Sequence, residues 1–144
     1  MADSPTWITW AVLSGVFAAL TAIFAKIGLE GIDPDYATLF RTAVILAVLS
    51  VLTYAMGKWR DPFALPPRSV AFLVLSGLAT GASWLCYFRA LKTGDASRVA
   101  PIDKLSVVLV AIFAVIFLGE RPSPRDWLGI GCVGVGVVLL SLKR

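Results

Sequence analysis

At 144 residues the chain is 58% hydrophobic and 15% charged, with 13 basic and 9 acidic residues, no histidine, and a formal net charge of +4 at pH 7. Its mean hydropathy is +0.85, and its charged fraction falls well below the about one quarter usual for soluble domains. These values exclude a water-soluble globular domain, which would need a larger polar shell, and the lack of histidine leaves a zinc or haem site almost without ligands.

A bilayer core of roughly 30 Å is crossed by about 20 apolar residues in a helix rising about 1.5 Å per residue. Five stretches of that kind fill nearly the whole chain. The first predicted helix covers 7–29 and ends in the turn Glu30-Gly31-Ile32-Asp33-Pro34-Asp35, where Gly and Pro punctuate the pattern. The second covers 36–56 and is followed by Gly57-Lys58-Trp59-Arg60-Asp61-Pro62, with Phe63 to Pro67 as an interfacial loop and Trp59 in the aromatic belt. The third covers 69–91, with Gly94 as its C-cap and Asp95 as the next N-cap. The fourth covers 96–118 and stops at Gly119-Glu120-Arg121-Pro122-Ser123-Pro124. The fifth covers 127–142, anchored at the interface by Lys143 and Arg144.

The expected fold is therefore an all-α, multi-pass integral membrane protein with one transmembrane domain over residues 1–144. Asp3 and the absence of Lys or Arg ahead of the first apolar run argue against a signal peptide. Cys86 and Cys132 fall in different spans and read as small apolar packing residues. Without histidine, no nucleophile, base and orienting group can be assembled, and no phosphate loop or metal cluster is present, so an enzyme is not expected. Neither a cofactor nor nucleic acid is an expected partner.

An odd number of spans puts the termini on opposite sides of the membrane. Lys58, Arg60, Arg68, Arg121 and Arg125 then lie on the side of the N-terminus, and Lys26, Arg89, Lys92, Arg98, Lys143 and Arg144 on the other. Orientation follows the side richer in Lys and Arg, and these two sides are balanced. A chain without bias can insert both ways, which permits antiparallel pairing of the kind found in transporters built from inverted repeats.

In lipid, small residues set how closely helices approach. Gly77-x-x-x-Gly81 marks the third span, and the fifth carries Gly129, Gly131, Gly134 and Gly136, with Gly129, Cys132 and Gly136 on one face. That face is predicted to be a subunit interface; packing within one chain is the alternative.

Charges within spans are costly and tend to mark a site. Arg41 lies about 8 Å inside the second span, placed to snorkel, to pair with Asp33 or Asp35, or to line a pathway. Lys26, near the end of the first span, is placed to snorkel. Asp103 and Lys104 follow Pro101 in the fourth span and point about 100° apart on a helix, so each needs another partner. Pro101 is expected to break the helix at Val99-Ala100-Pro101. The segment either lines a substrate pathway or fixes helix register as an internal ion pair. Trp84, Tyr87 and Phe88 supply walls for a pocket, with Trp10 facing them. The excess of bases over acids inside the spans suits an anionic or zwitterionic solute, or is compensated within a dimer.

Lys26-x-Gly28-Leu29 with Pro34 and Leu39-Phe40-Arg41, then Tyr87-Phe88-Arg89-Ala90-Leu91-Lys92-x-Gly94, then Leu118-Gly119-Glu120-Arg121-x-Ser123 ahead of Gly129 together resemble the EamA domain of the drug/metabolite transporter superfamily. The resemblance covers essentially the whole chain. Most members of that family have ten helices in two inverted five-helix repeats, so this chain looks like a single half-length repeat. The resemblance implies a secondary transporter of metabolites or drugs in the cell (inner) membrane, often an exporter, working by alternating access around a central cavity. Lys26, Arg41, Glu120 and Arg121 match the family's recurring charged positions. The small multidrug resistance transporters, which are related, use an acid in the first span for coupling; this chain has none there. The expected partners are a small-molecule substrate, the lipid bilayer, and either a second, antiparallel copy or another half-length subunit. The other reading is a non-transporting membrane subunit that packs against a partner membrane protein.

Overall fold

The computed structural model describes residues 4–61 and 64–142. Pro62, Phe63, Lys143 and Arg144, to which the loop and anchor expectations refer in part, lie outside the described residues, as does Asp3. The elements in chain order are α1 (Ser4–Gly28), α2 (Pro34–Ala55), α3 (Pro67–Thr93), α4 (Ala96–Asp103), α5 (Leu105–Phe113), a π-helical turn (Ala114–Leu118) and α6 (Pro124–Ser141). No strand occurs among the described residues. Five helical stretches among them are long and apolar enough to cross a membrane: Thr6–Gly28, Pro34–Ala55, Pro67–Thr93, Ala96–Leu118 and Pro124–Ser141. The fold is that of an all-α membrane protein.

The helix ends follow from local chemistry. Asp33, in extended backbone, accepts hydrogen bonds from the amides of Asp35 and Tyr36, and Pro34 starts α2 where a missing N–H costs nothing. Ser123 and Asp126 form a reciprocal capping box at α6, again with proline in the first turn. Helix α2 ends in a Schellman motif, in which Gly57 takes φ +64° while its amide donates to Tyr54 and that of Lys58 to Thr53. Gly119, at φ +68°, closes the π-helical turn, and the amide of Glu120 reaches the Ala114 carbonyl at 3.2 Å. Asp95 occupies the N-cap position of α4, without a side-chain cap bond.

Pro101 sits inside α4, and the interruption of the fourth span falls at Lys104 rather than at Val99-Ala100-Pro101. At the sixth position of α4 the proline removes only the bond to a carbonyl in the first turn, and its fixed φ suits a helix. The break follows where Lys104 takes ψ 0° and its amide reaches back to the Pro101 carbonyl at 3.0 Å, tightening the turn.

The chain divides into two compact units. One holds the described residues up to Phe24 and those from Gly94 onward; the other is Ala25–Thr93. In the first, α4 and α5 pack on α6, and Ala114 and Val137 are buried. In the second, α2 packs on α3, around Thr38, Phe88, Leu29 and Leu91. Large apolar side chains point outward along every span, among them Phe17, Leu46, Leu78, Val110 and Leu139. In water this arrangement would aggregate; in a bilayer the acyl chains complete the burial.

Candidate functional site

The sequence-predicted site residues fall in both units. Within Ala25–Thr93, α3 carries Trp84, Tyr87 and Phe88 at the i, i+3 and i+4 spacing that places side chains on one helical face. Their rings form a mutual cluster, with centroids 6.0 Å apart for Trp84–Tyr87 and Trp84–Phe88 and 6.5 Å for Tyr87–Phe88. Phe88 is buried, while Trp84 and Tyr87 are half-buried.

Arg41 on α2 reaches this cluster. Its guanidinium carbon lies 3.2 Å from the Trp84 ring centroid and 5.5 Å from that of Phe88, within the range of a cation–π interaction. Of the readings open to Arg41, pairing with Asp33 or Asp35 does not occur among the described residues. Six residues of helix turn Asp35 roughly 240° away from Arg41, and both acids are engaged elsewhere: Asp33 caps α2, and Asp35 pairs with Arg89. Among the described residues the Arg41 guanidinium has neither a carboxylate within ion-pair distance nor a hydrogen-bond acceptor.

The Arg89–Asp35 pair was not singled out from the sequence. Arg89 Nε donates to Asp35 Oδ1 at 2.8 Å and Nη2 to Oδ2 at 2.6 Å, a two-pronged fork that ties the end of α3 to the start of α2. A second tie uses lysines. Lys26 Nζ donates to the Leu91 carbonyl at 2.6 Å, and Lys92 Nζ donates to the carbonyls of Leu29 and Ile32 at 2.5 and 3.0 Å. Both lysines sit in the last turn of their helices, where a cation meets free carbonyls and the negative end of the helix dipole. That position was the available signal; what it lacked was the identity of the other helix. Lys26, Ile27, Leu29, Glu30, Leu91 and Lys92 line a cleft of about 310 Å³.

Within the other unit, Asp103 and Lys104 meet each other, correcting the expectation that each needs a separate partner. Lys104 Nζ donates to Asp103 Oδ2 at 3.4 Å. The four-carbon lysine stem bends back across the step between adjacent residues, and the side chains are 53% and 39% exposed for Lys104 and Asp103. Arg98 caps the end of α6 by donating to the Leu140 carbonyl at 3.2 Å.

The predicted glycine faces separate by use. A Cβ on Gly134 would lie 3.4 Å from Val108 Cγ2, so Gly134 serves the α5–α6 contact inside the chain. Gly131 and Gly136, with Cys132, Trp127, Leu128, Val135 and Leu139, line an open apolar groove of about 850 Å³ along α6. Gly77, Gly81 and Gly129 have open space at the Cβ position. The free thiols of Cys86 and Cys132 are exposed.

Comparison with known proteins agrees with this architecture. The profile of the EamA-like transporter family matches residues 5–142. An uncharacterized transporter in the cobO 3'region of Sinorhizobium sp is 57% identical over 139 residues, 96% of this chain and 99% of the relative. The uncharacterized transporter YxxF of Bacillus subtilis (strain 168) is 26% identical over 95% of this chain, which spans 43% of that relative's length. A probable 4-amino-4-deoxy-L-arabinose-phosphoundecaprenol flippase subunit ArnE of Yersinia pestis (strain Pestoides F) is 29% identical over 68% of this chain and 94% of its own. No solved structure matches.

Proposed function

From the premise that this chain belongs to the EamA-like transporter family, we propose that it is one five-helix half of a secondary transporter that moves small metabolites or drugs outward across the inner membrane. Two antiparallel copies form the working unit. The observation that carries this reading is the set of five spans, the make-up of one half of an inverted-repeat transporter; a second copy inserted the other way supplies the inverted half, and alternating access then proceeds about the interface between the two. The balance of basic residues on the two sides supports dual insertion.

In this reading Asp103, Lys104, Lys26, Arg41, Trp84 and Tyr87 line the substrate pathway. The break at Lys104, three residues after Pro101, is an irregularity of the kind a membrane tolerates beside protein or a water-filled cavity. The glycines of α6 bring the two copies together along the groove of Gly131 and Gly136, while Gly77 and Gly81 offer α3 as a further packing face.

The test is flux in proteoliposomes, screened over amino acids, nucleosides, organic acids and cationic drugs, then repeated with Asp103→Asn and Lys104→Gln. Loss of flux in either variant supports the pathway. Full flux in both removes these two residues from it.

A second reading is favoured by one observation, the likeness to a protein named as a flippase subunit. There the chain is a membrane subunit that packs against a different partner and moves nothing by itself. Flux from the purified chain alone decides against it.

A further inference from the structure

A guanidinium within a membrane-spanning helix is costly unless it is paired or faces protein or water. Arg41 satisfies only part of this requirement. Trp84 and Phe88 cover it by cation–π contact, which places the cation but neutralises none of its charge. Its planar fork of five N–H donors meets no acceptor among the described residues. The nearby acids do not serve, since Asp35 is held by Arg89 through both oxygens and Asp33 is spent on the helix cap. Lys26 and Lys92 are occupied as well, donating to main-chain carbonyls. Of Lys26, Arg41, Arg89 and Lys92, Arg41 is the one that makes no hydrogen bond among the described residues.

We infer that Arg41, braced on Trp84 and Phe88, is a recognition site for an oxyanion, a phosphate or carboxylate, carried by the transported molecule; the inference rests on the pathway reading of Arg41 and Trp84 given above. The guanidinium fork matches such a group with two parallel hydrogen bonds, which the ammonium of a lysine does not reproduce. Trp84 and Tyr87, both half-buried, give the remainder of the ligand an apolar surface to lie on. Two sources share this chemistry, the headgroup of an anionic amphiphile and a free soluble anion.

The experiment is calorimetric titration of the intact chain in a neutral maltoside micelle with dodecyl phosphate, dodecyltrimethylammonium and inorganic phosphate. Saturable binding of dodecyl phosphate, absent for the ammonium compound and weakened about tenfold or more by Arg41→Gln, is expected. Displacement by inorganic phosphate at similar concentration identifies a free anion as the source; lack of displacement identifies an amphiphile headgroup. Equal binding of the cationic and anionic amphiphiles, or wild-type binding by Arg41→Gln, overturns the inference. Where Arg41→Gln does not fold, the site is read in a chain with Trp7, Trp10, Trp59 and Trp127 replaced by Phe. Dodecyl phosphate then shifts the Trp84 emission, and an unchanged spectrum overturns the inference. Flux of neutral or cationic solutes without phosphate binding removes this site and leaves the transporter reading standing. Phosphate binding without any flux does the reverse.

Discussion

Lys26 and Lys92 cap each other's helices. Each stands in the last turn of its own helix and donates to a carbonyl at the end of the other, Lys26 to Leu91 and Lys92 to Leu29. The two accepting residues are also the most deeply buried large side chains described, Leu29 at 2% and Leu91 at 0% exposure. Polar and apolar contacts therefore fix the same junction. Removing either ammonium takes a charged donor from the carbonyls at the end of the other helix.

Lys26→Met and Lys92→Met should each destabilise the protein by about 1–3 kcal/mol, the range for hydrogen bonds from charged donors. Because both act on one junction, the double variant should lose less than the sum of the singles. Thermal unfolding of the four proteins in one detergent checks both statements.

Asp35 and Arg89 predict a charge-reversal result. Asp35→Arg and Arg89→Asp, made singly, place like charges at a two-pronged contact and should lower the yield of monodisperse protein. The combined swap restores opposite charges and should recover part of that yield, although the fork geometry of an arginine on α3 is lost. Size-exclusion profiles of the three variants provide the check. No recovery in the double variant would mean that the pair does not join α2 to α3 in solution.

The legible part of this chain is the part set by local rules. Span lengths follow from hydropathy, and the ends of α2 and α6 follow from Asp33-Pro34 and Ser123-Pro124, so five helices were readable to within a few residues. Partner choice was not readable, because it depends on which helices touch. Arg41 has equal access in one dimension to Asp33, Asp35 and the headgroups, and only the packing of α2 on α3 turns it onto Trp84. Asp35 and Arg89 are 54 positions apart in the chain, beyond any periodicity argument. Pro101 misled for a related reason. Proline marks where a helix can be interrupted, while the surrounding contacts decide the residue at which it is.

The α6 glycines give a contrast within one helix. Gly134→Leu should destabilise the chain, since even its Cβ would sit 3.4 Å from Val108 and the further carbons would overpack the α5–α6 contact. Gly131→Leu extends into the open groove and should leave the melting temperature nearly unchanged. If that groove joins two copies, Gly131→Leu should instead lower self-association, measured by energy transfer between labelled chains in liposomes. Unchanged transfer would place the subunit contact on another face.

Antiparallel assembly itself is tested most directly by orientation. In a background with Cys86 and Cys132 replaced by Ala, single cysteines at Glu30, between α1 and α2, and at Ala64, between α2 and α3, leave the count of basic residues unchanged. A membrane-impermeant thiol reagent is applied to intact cells. Labelling of each site in about half of the molecules is expected for an antiparallel pair of chains with no charge bias. Full labelling at one site and none at the other would contradict that assembly and leave the five-helix chain with a fixed orientation and a partner still to be found.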